Sequence, residues 1–449
     1  MFSAFANSWK IPELRKRILF TLGIVALARL GANIPCPGVD PTALTEYIGR
    51  VQREVGGSFV GLAIMLTGGG LSRCAVFALG IMPYISATII MQLLTAVVPS
   101  LERLRQEGQS GYAKIIQYSR YMTVFICIIQ GFFLAKAFEH PQTLISGFSG
   151  VLVRDPGIPF ELLTVITITS GSVFLMWLGE QITERGIGNG ASLIITIGIV
   201  DRLPSAIAQT WALFLPGAGG QSQMNILLAV LLLAMALGVT AGVVAVTEAQ
   251  RKIPVQYAKR MVGRKMLGGG QAFMPLRVNY SGVMPIIFAQ AILLFPQKIL
   301  SLSHISWVQQ LSRRLIEGEG LYLTFYGLMI LFFSYFWVAT QFNPLQIADD
   351  LKKYGGYLPG IRPGRPTAEF LDHTMTRITL AGAVFLTIIA VIPYILWQNL
   401  RVPYATASFF GGTSLLITVG VMLDTMRQVE SHLVMRHYDG FFKSGRSRR

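Results

Sequence analysis

A short apolar segment bounded by glycines precedes a much longer apolar stretch near the start of this chain. Gly56-Gly57 comes before the short segment, Gly68-Gly69-Gly70 follows it, and Ala75–Val98 is the longer stretch. A transmembrane helix needs about 20 apolar residues, and the short segment has roughly half of that. A short helix at membrane depth is tolerated only where protein or a water-filled cavity surrounds it. The pattern predicts either a small element inside an enclosed cavity or a re-entrant or interfacial helix that serves packing alone.

Long uninterrupted apolar blocks place the chain among helical membrane proteins. Hydrophobic residues make up 52% and charged residues 13% of the 449 residues, whereas soluble domains average about 25% charged residues. The sequence has no series of alternating strands of the membrane-barrel type. Cys36, Cys74 and Cys127 are far apart and predict neither a disulfide framework nor a metal site.

Ten apolar stretches have the length of transmembrane spans. Five fall in an N-terminal half, residues 18–211, and five in a C-terminal half, residues 212–426. Five spans per half would place the halves in opposite orientation, as in an inverted repeat. The halves share no clear residue identity, so this repeat rests on the span count alone. The predicted spans are Ile18–Ile34, Ala75–Val98, Tyr121–Phe138, Leu162–Ile182, Ala191–Trp211, Asn225–Thr247, Ser281–Leu300, Leu321–Phe342, Ile378–Trp397 and Ala407–Met426.

The first predicted span also has the pattern of a cleavable signal peptide. Arg15-Lys16-Arg17 precedes a short apolar run that contains Ala26-Leu27-Ala28. We interpret it as an uncleaved helix that follows a cytoplasmic amphipathic N-terminus, residues 1–17. No transit peptide is apparent, which favours a bacterial plasma membrane over an organelle.

Positive charge is concentrated on one side of the predicted membrane. Most of the 38 lysines and arginines lie in segments that are cytoplasmic if the N-terminus is cytoplasmic. The positive-inside rule therefore places both termini in the cytoplasm, including a basic tail at residues 427–449. Two cytoplasmic loops, residues 248–280 and 343–377, are longer than connectors need to be. Their mixture of basic and aromatic residues predicts docking of a partner or phosphate contact, unless the charge serves topology alone.

Two groups of glycines predict local structure. Gly186, Gly188 and Gly190 lack the GxGxxG spacing of a nucleotide-binding loop and predict a tight cytoplasmic turn between two spans. Gly238 and Gly242 form a GxxxG motif, which predicts close helix packing.

Six short motifs follow one another in order along nearly the whole chain. They are Phe77–Ser86, Glu184–Gly190, Tyr257–Arg260, Ser281–Pro285, Pro359–Gly364 and Phe410–Ile417. Together they resemble the SecY family, the channel subunits of the general protein-export translocon. The resemblance implies an all-α polytopic membrane protein. Its ten transmembrane helices would form two inverted five-helix halves around a central pore with a short plug helix.

The resemblance also implies which residues form the pore. The plug becomes residues 59–71, the glycine-bounded segment described above, with Phe59, Leu62, Ile64, Met65, Leu66 and Leu71. A ring of aliphatic side chains would form a hydrophobic constriction that blocks ions by dewetting. The implied ring residues are Ile81, Ile85, Ala191, Ile195, Ile287 and Ile417. Ala191 is smaller than the aliphatic residue of the pattern, so the ring is wider there or Leu193 or Ile194 fills the space.

Channels of this family also open sideways, between the second and seventh spans. Ser86 and Gln92 on one side and Gln290 on the other would form a seam of weak interhelical bonds, although ordinary helix packing explains the same residues. The implied function is a passive protein-conducting channel. It translocates unfolded preproteins and releases signal and transmembrane segments into lipid, and we expect no catalytic residues, cofactor or metal.

Partners follow from the same resemblance. SecE and SecG would be small helical subunits of the complex, and the SecA motor ATPase or the ribosome would dock on the cytoplasmic loops. Arg362 matches a loop-tip arginine linked to engagement of the motor. Lys259, Arg260, Arg264 and Lys265 are candidates for rRNA phosphate contacts.

Three other functions fit parts of the sequence. An ion-coupled solute transporter also has inverted repeats but usually carries ionisable groups at mid-membrane, whereas Glu180, Asp201, Arg202 and Asp424 lie towards span ends. An intramembrane serine protease would use Gly147-Phe148-Ser149-Gly150, but this motif lies in a polar outer loop and no histidine lies in an apolar span. A scaffold or insertase without a pore would leave the plug-like segment unexplained.

Overall fold

The computed structural model describes most of the chain. The described residues are 11–40, 42, 44, 69–140, 152–201, 203–204, 207–208, 226–257, 260–262, 265–267, 271–289, 292–293, 320–400, 407 and 412–446. They divide into two compact units. The described parts of residues 1–226, 402–409 and 417–449 form the first unit, and those of residues 227–401 and 410–416 form the second.

Helices dominate both units, and five strands lie in the second. In chain order the elements are α1 (Pro12–Gly31), α2 (Met82–Val97), α3 (Pro99–Gln106), α4 (Gln109–Glu139), α5 (Ile158–Arg185), α6 (Gly190–Val200), α7 (Ile226–Glu248), β1 (Gln250–Tyr257), β2 (Arg260–Val262), β3 (Lys265–Leu267), β4 (Gln271–Arg277), α8 (Gly320–Gln341), α9 (Pro344–Lys353), β5 (Gly356–Tyr357), α10 (Arg365–Leu400) and α11 (Thr413–Arg446).

Several helices begin with residues that suit a helix N-terminus. Proline stands in the first turn of α1, α2, α3, α5 and α9, where its missing N–H removes no helical hydrogen bond. Asn189 and Asn343 cap α6 and α9 because each side-chain oxygen accepts a backbone N–H at 3.2 Å, from Ser192 and Gln346 respectively.

Five helices in the described part of the chain are long and apolar enough to cross a membrane by length and composition. They are α4, α5, α7, α8 and α10, and a sixth is possible if α2 and α3, bent by 96°, count as one span. The predicted count of ten spans therefore stays a prediction.

The helices differ in extent from several predicted spans. Helix α10 begins at Arg365, inside the predicted loop 343–377, and α11 continues to Arg446 through the predicted tail. Helix α4 has 31 residues, so it is about 46 Å long, well beyond the roughly 30 Å of a bilayer core. Apolar composition marks the part of a helix within lipid, but it does not mark where the helix ends.

A stripe of small and buried residues runs along α4. Gly111, Ile115, Ser119, Thr123, Cys127, Gly131 and Ala135 recur every fourth position and are all buried. Small residues at this spacing allow close approach of neighbouring helices. At Gly131, an added Cβ would lie 3.7 Å from the backbone of Val165 in α5. At Gly131, therefore, the absence of a side chain lets α4 lie close to α5 in the first unit.

A three-stranded sheet in the second unit corrects the all-α prediction. Strand β1 pairs antiparallel with β4 from Gln250 to Gln256 and with β5 at Gln256 and Tyr257, in the order β4-β1-β5. Strand β5 comes from the other long loop, so the sheet joins loops 248–280 and 343–377. The prediction was wrong here because an eight-residue strand between two apolar spans is too short to alter overall composition.

Alternation of side chains decides the orientation of this sheet. Ile253, Val255 and Leu276 face a core that also contains Leu358 and Leu371. Pro254 and Lys252 alternate with them on the opposite face and are exposed. One face is therefore buried against α9 and α10, and the other is open.

Candidate functional site

Residues 69–81 form an irregular and buried segment between the glycine-rich stretch and α2. The segment runs through successive turns, and Pro35 pairs with Ala75 in an isolated antiparallel bridge. The N–H of Cys36 donates to the carbonyl of Cys74 at 2.7 Å. Cys74 and Ala75 are both 0% exposed. Irregular backbone at membrane depth requires surrounding protein or water, and here protein surrounds it.

The predicted start of the second span at Ala75 is wrong. Helix α2 begins at Met82, because Cys74 and Gly80 have positive φ angles of 46° and 60°. A left-handed residue ends helical propagation, and glycine adopts this conformation without strain. Ile81 is consequently the N-cap of α2, and its carbonyl accepts the N–H of Ile85 at 3.2 Å.

The segment that follows α1, residues 35–40, makes a second set of contacts. Val39 pairs with Val153 in an isolated antiparallel bridge, and the N–H of Asp40 donates to the carbonyl of Leu152 at 2.9 Å. Hydrogen bonds from the hydroxyl and N–H of Thr42 hold the pKa of the Asp40 carboxyl below its ordinary value. Residues 35–40 thus connect segment 69–81 with residues 152–153 in one small assembly.

Of the six residues named for the predicted plug, Leu71 alone lies within the described residues. It is half-buried and packs against a core that includes Cys36, Cys74, Phe138 and Ile168. Phe59, Leu62, Ile64, Met65 and Leu66 lie outside the described residues. The described end of the predicted plug is therefore anchored in the first unit.

The predicted ring residues are all described, and five of the six are buried. Ile81 is 1%, Ile195 2% and Ile417 2% exposed. Ile85 and, in the second unit, Ile287 are also buried, and Ala191 is half-buried. These burial values fit a closed constriction and fit ordinary packing equally well, so the ring stays a prediction.

Within the first unit, two of the predicted ring positions meet over Gly179 of α5. A Cβ added at Gly179 would lie 3.3 Å from Cδ1 of Ile81, 3.5 Å from Cδ1 of Ile194 and 3.6 Å from the nitrogen of Ala191. Ile194 thus places its side chain beside Ile81 where Ala191 offers only a methyl group. Gly179 is the position that lets α2 and α6 approach α5 at the same place.

The turn between α5 and α6 confirms the tight turn predicted from Gly186, Gly188 and Gly190. Each glycine is required for a different reason. A Cβ at Gly186 would lie 2.5 Å from Oγ1 of Thr21, Gly188 has a φ of +90°, and a Cβ at Gly190 would lie 1.9 Å from the carbonyl oxygen of Gly179. Contacts below 3.0 Å with backbone cannot be relieved by a rotamer change. The turn therefore holds the first residue of α6 against α5.

A small cavity beside Ile81 contains one charged side chain. Its volume is about 30 Å³, and its lining includes Arg29, Phe77, Ile81, Ile194 and Ile197. A cavity of this size holds one or two water molecules. Arg29, from the last turn of α1, pairs with Asp201 at 3.5 Å. An arginine within a span is expected to face protein or a cavity and to be paired, as it is here.

The residues predicted for sideways opening are only partly described. Ser86 and Gln92 are half-buried on α2, and the carbonyl of Gln92 accepts the hydroxyl of Thr95 at 2.7 Å. Gln290 lies outside the described residues. The lateral gate therefore stays a prediction.

The open face of the sheet forms a basic surface in the second unit. Lys252, Phe273 and Arg277 lie on the exposed face of β1 and β4, and Phe273 is 59% exposed. Arg260 lies on β2 and Lys265 on β3, whereas Lys259 and Arg264 lie outside the described residues. Cations interleaved with an exposed aromatic ring suit contact with an acidic or phosphate-bearing partner.

Arg362 stands exposed at the tip of a braced loop. Leu358, 2% exposed, anchors the start of this loop in the core of the second unit. The hydroxyl of Thr367 donates to the carbonyl of Arg362 at 2.9 Å, and Gly360 and Gly364 have positive φ angles of 80° and 102°. The fold therefore presents this arginine on a fixed backbone, where ordering it costs a partner little entropy.

Sequence reasoning missed the sheet that joins the two long loops. The alternation of Ile253 and Val255 with polar residues is a strand pattern, and this signal was available. The short partner strand Gly356–Tyr357 carries no comparable pattern, because two residues are too few for a period to be seen.

These features define a polytopic helical membrane protein with an irregular buried segment and a basic exposed face on its sheet. The SecY family profile matches residues 75–426. A protein translocase subunit SecY of Streptomyces scabiei is 45% identical, over 99% of this chain and 100% of its own length. The chain belongs to the SecY family.

Two solved structures share the fold. A protein-conducting channel aligns with a TM-score of 0.61 at 18% identity and covers 93% of this chain and 92% of its own. The Sec61 channel of a canine ribosome–channel complex from the endoplasmic reticulum aligns with a TM-score of 0.58 at 18% identity, with the same coverage of both chains.

Proposed function

We propose that this chain is the channel subunit of a protein translocase. Unfolded preproteins cross the membrane through it, and signal and transmembrane segments leave it sideways into lipid. The observation that carries the proposal is the irregular segment 69–81, whose non-helical backbone lies buried in protein immediately before α2. A membrane protein retains such backbone where a span borders an enclosed space, and the relatives in this family are named as protein translocase subunits.

The proposed pore has the finer architecture that the sequence predicts. Ten spans form two inverted halves, with the plug at residues 59–71 and the ring at Ile81, Ile85, Ala191, Ile195, Ile287 and Ile417. The ring blocks ions because a narrow apolar passage excludes water, and its side chains move aside for a polypeptide. The burial of Ile81 and Ile195 is compatible with this assignment, and the polar residues Ser86, Gln92 and Gln290 form the gate towards lipid.

The proposed partners dock on the two long loops of the second unit, residues 248–280 and 343–377. Arg362 engages the SecA motor ATPase, and Lys259, Arg260, Arg264 and Lys265 contact rRNA phosphates of the ribosome. The exposed position of Arg362 on a braced loop supports the first assignment, and one structural neighbour is part of a ribosome–channel complex. SecE and SecG complete the complex in a bacterial plasma membrane with both termini cytoplasmic. The chain supplies no catalysis, and the energy comes from the motor, from translation or from the proton-motive force.

Ion conductance of the purified complex in planar bilayers tests the channel. The variant lacks residues 59–68 and keeps Leu71, since Leu71 packs in the core of the first unit. A matched control lacks ten residues, 141–150, of a predicted outer loop. We expect the wild type and the control to be silent and the plug deletion to conduct. If none of the three proteins conducts ions, the plugged channel is contradicted. A scaffold or an ion-coupled solute transporter then becomes the preferred function.

A further inference from the structure

The turn at residues 186–190 is bonded to the first and the last helix of the chain at once. The N–H of Ile187 donates to Oγ1 of Thr21 in α1 at 3.1 Å, and the N–H of Gly188 donates to Oε1 of Gln428 in α11 at 2.7 Å. All of these residues belong to the first unit. Two adjacent amides of one turn are therefore satisfied by side chains that are distant in sequence.

Apolar packing reinforces the same junction. Ile187 is 4% exposed and packs with Leu14 of α1 and Val429 of α11. A Cβ added at Gly188 would lie 3.0 Å from Oγ1 of Thr425. The turn is thus enclosed by α1 and α11 and has no free space beside α11.

Residues 186–190 also fix the position of the first residues of α6. The N–H of Gly190 donates to Oγ1 of Thr183 at 2.9 Å, and Asn189 caps the helix. Ala191 and Ile195, two residues of the proposed ring, lie in the first two turns of α6. A helix is stiff over this distance, so a displacement of the turn is transmitted to both residues rather than absorbed.

Helix α11 reaches beyond the membrane from this junction. Its 34 residues span about 51 Å, against roughly 30 Å for a bilayer core. Gln428 lies two residues after the predicted end of the last span, Met426. The helix therefore continues beyond the bond to Gly188 as far as Arg446, on the predicted cytoplasmic side.

We infer that Gln428 and Thr21 are positioning residues for the ring, and that α11 is the arm through which a cytoplasmic load on the C-terminal segment shifts α6. This inference rests on the proposed channel function. With both bonds made, α6 holds Ala191 and Ile195 at the constriction. When the bond from Gly188 to Gln428 breaks, the start of α6 is released and the closed state loses part of its stabilisation.

The test uses the purified complex with two readouts on the same variants. Gln428→Ala removes the acceptor for Gly188, whereas Gln428→Glu keeps an acceptor oxygen at the same position, now from a carboxylate. Thr21→Val removes the acceptor for Ile187, and Thr21→Ser keeps it. Glu430→Ala, an exposed site on the same helix, is the matched control. Hydrogen exchange of peptides that cover residues 186–190 reports the bonds, and the frequency of ion-conducting openings in planar bilayers reports the ring.

We expect exchange at residues 186–190 to become about fivefold to tenfold faster in Gln428→Ala and Thr21→Val, as for loss of one hydrogen bond. Openings should become more frequent in the same two variants. Gln428→Glu, Thr21→Ser and Glu430→Ala should resemble the wild type in both readouts.

Two results would overturn the inference without contradicting the proposed channel function. In one, exchange becomes faster but openings do not change, so the bonds are structural only. In the other, exchange does not change, so the bonds do not hold the turn. If instead no protein, including the control and a plug deletion, conducts or transports, the proposed function fails and the inference with it.

Discussion

Arg29 Nη1 lies 3.5 Å from Asp201 Oδ2, which joins the last turn of α1 to the C-terminal end of α6. A carboxylate is unfavourable at a helix C-terminus, where the helix dipole is negative, and an arginine is favourable there. Asp201 therefore occupies a poor position on its own helix and is compensated from a neighbouring one. The pair belongs to this chain's first unit, and Arg29 lines the cavity next to Ile81.

Replacing each partner of this pair should give unequal losses of stability. Asp201 is half exposed, so Asp201→Asn should cost no more than about 1 kcal/mol. Arg29→Ala should cost more, because the aliphatic stem of Arg29 also lines the cavity. Thermal unfolding of the purified complex measures both. Lys16→Ala, exposed on the same helix, is the control, and equal losses for Asp201→Asn and Arg29→Ala would contradict the packing contribution.

The contact between Gly190 and Gly179 predicts a severe effect from a single methyl group. A Cβ at Gly190 would lie 1.9 Å from the carbonyl oxygen of Gly179, so Gly190→Ala must push α6 away from α5. We expect a loss of roughly 3 kcal/mol or failure to assemble. Yield and thermal stability of the complex in detergent measure this loss.

Gly238→Ala is the matched control for that variant. A Cβ at Gly238 meets nothing within 4 Å in the described part of the chain, whereas one at Gly242 would lie 3.2 Å from Phe385. The GxxxG prediction is thus supported at Gly242, and at Gly238 it stays a prediction. Gly238→Ala should be neutral or slightly stabilising, because alanine favours the helix, and a loss comparable to that of Gly190→Ala would contradict this account.

Pairing of β1 with β5 predicts that Gly356 controls the junction of the two long loops. A Cβ at Gly356 would lie 3.1 Å from Tyr257 and 3.3 Å from Val255. Gly356→Val adds two more methyl groups there and should cost about 1–3 kcal/mol of local stability. Limited proteolysis should then cut residues 344–364 faster. Ala272→Val, exposed on β4, should leave the cleavage rate unchanged, and acceleration in both variants would indicate general loosening instead.

Arg362 is exposed on a loop whose backbone is held in place, so we expect its replacement to reduce function without reducing stability. Arg362→Ala should reduce motor-dependent transport of a preprotein into vesicles at least tenfold, with unchanged thermal stability, because the side chain is exposed. Arg365→Ala is the control, since Arg365 is exposed and pairs with Glu369 on its own helix. Thr367→Val should give an intermediate loss, because it frees the carbonyl of Arg362. Normal transport by Arg362→Ala would overturn the docking assignment.

Sequence patterns predicted the apolar helices well because burial in lipid needs long uninterrupted apolar runs. Tyr121–Phe138 and Leu162–Ile182 both lie inside described helices. The sequence did not predict the helix ends at Arg365 and Arg446, because a helix that leaves the membrane changes composition without ending. The start of α2 was missed for a different reason, since the positive φ angle of Cys74 accompanies its hydrogen bond with Cys36, which is distant in the sequence, and does not follow from the preference of cysteine.

The candidate site also has some features that the sequence predicted and others that it did not. Gly186, Gly188 and Gly190 predicted a tight turn, and the turn is present, because glycine spacing is a local signal. The bond from Gly188 to Gln428 was beyond sequence reasoning, since nothing local relates two residues so far apart in the chain. The ring residues came from the family resemblance alone, because an isoleucine in a span usually serves packing.

The irregular segment 69–81 also has a mechanical consequence. A helix resists extension because its hydrogen bonds form one continuous ladder, whereas this segment is held by separate bonds, such as those that Ala75 makes to Gly70 and Cys36 makes to Cys74. Separate bonds can break one after another under a pull from the N-terminal side. An extended chain reaches about 3.4 Å per residue, so the segment is a reserve of length. The segment can lengthen ahead of α2 while the hydrogen bonds of that helix remain intact.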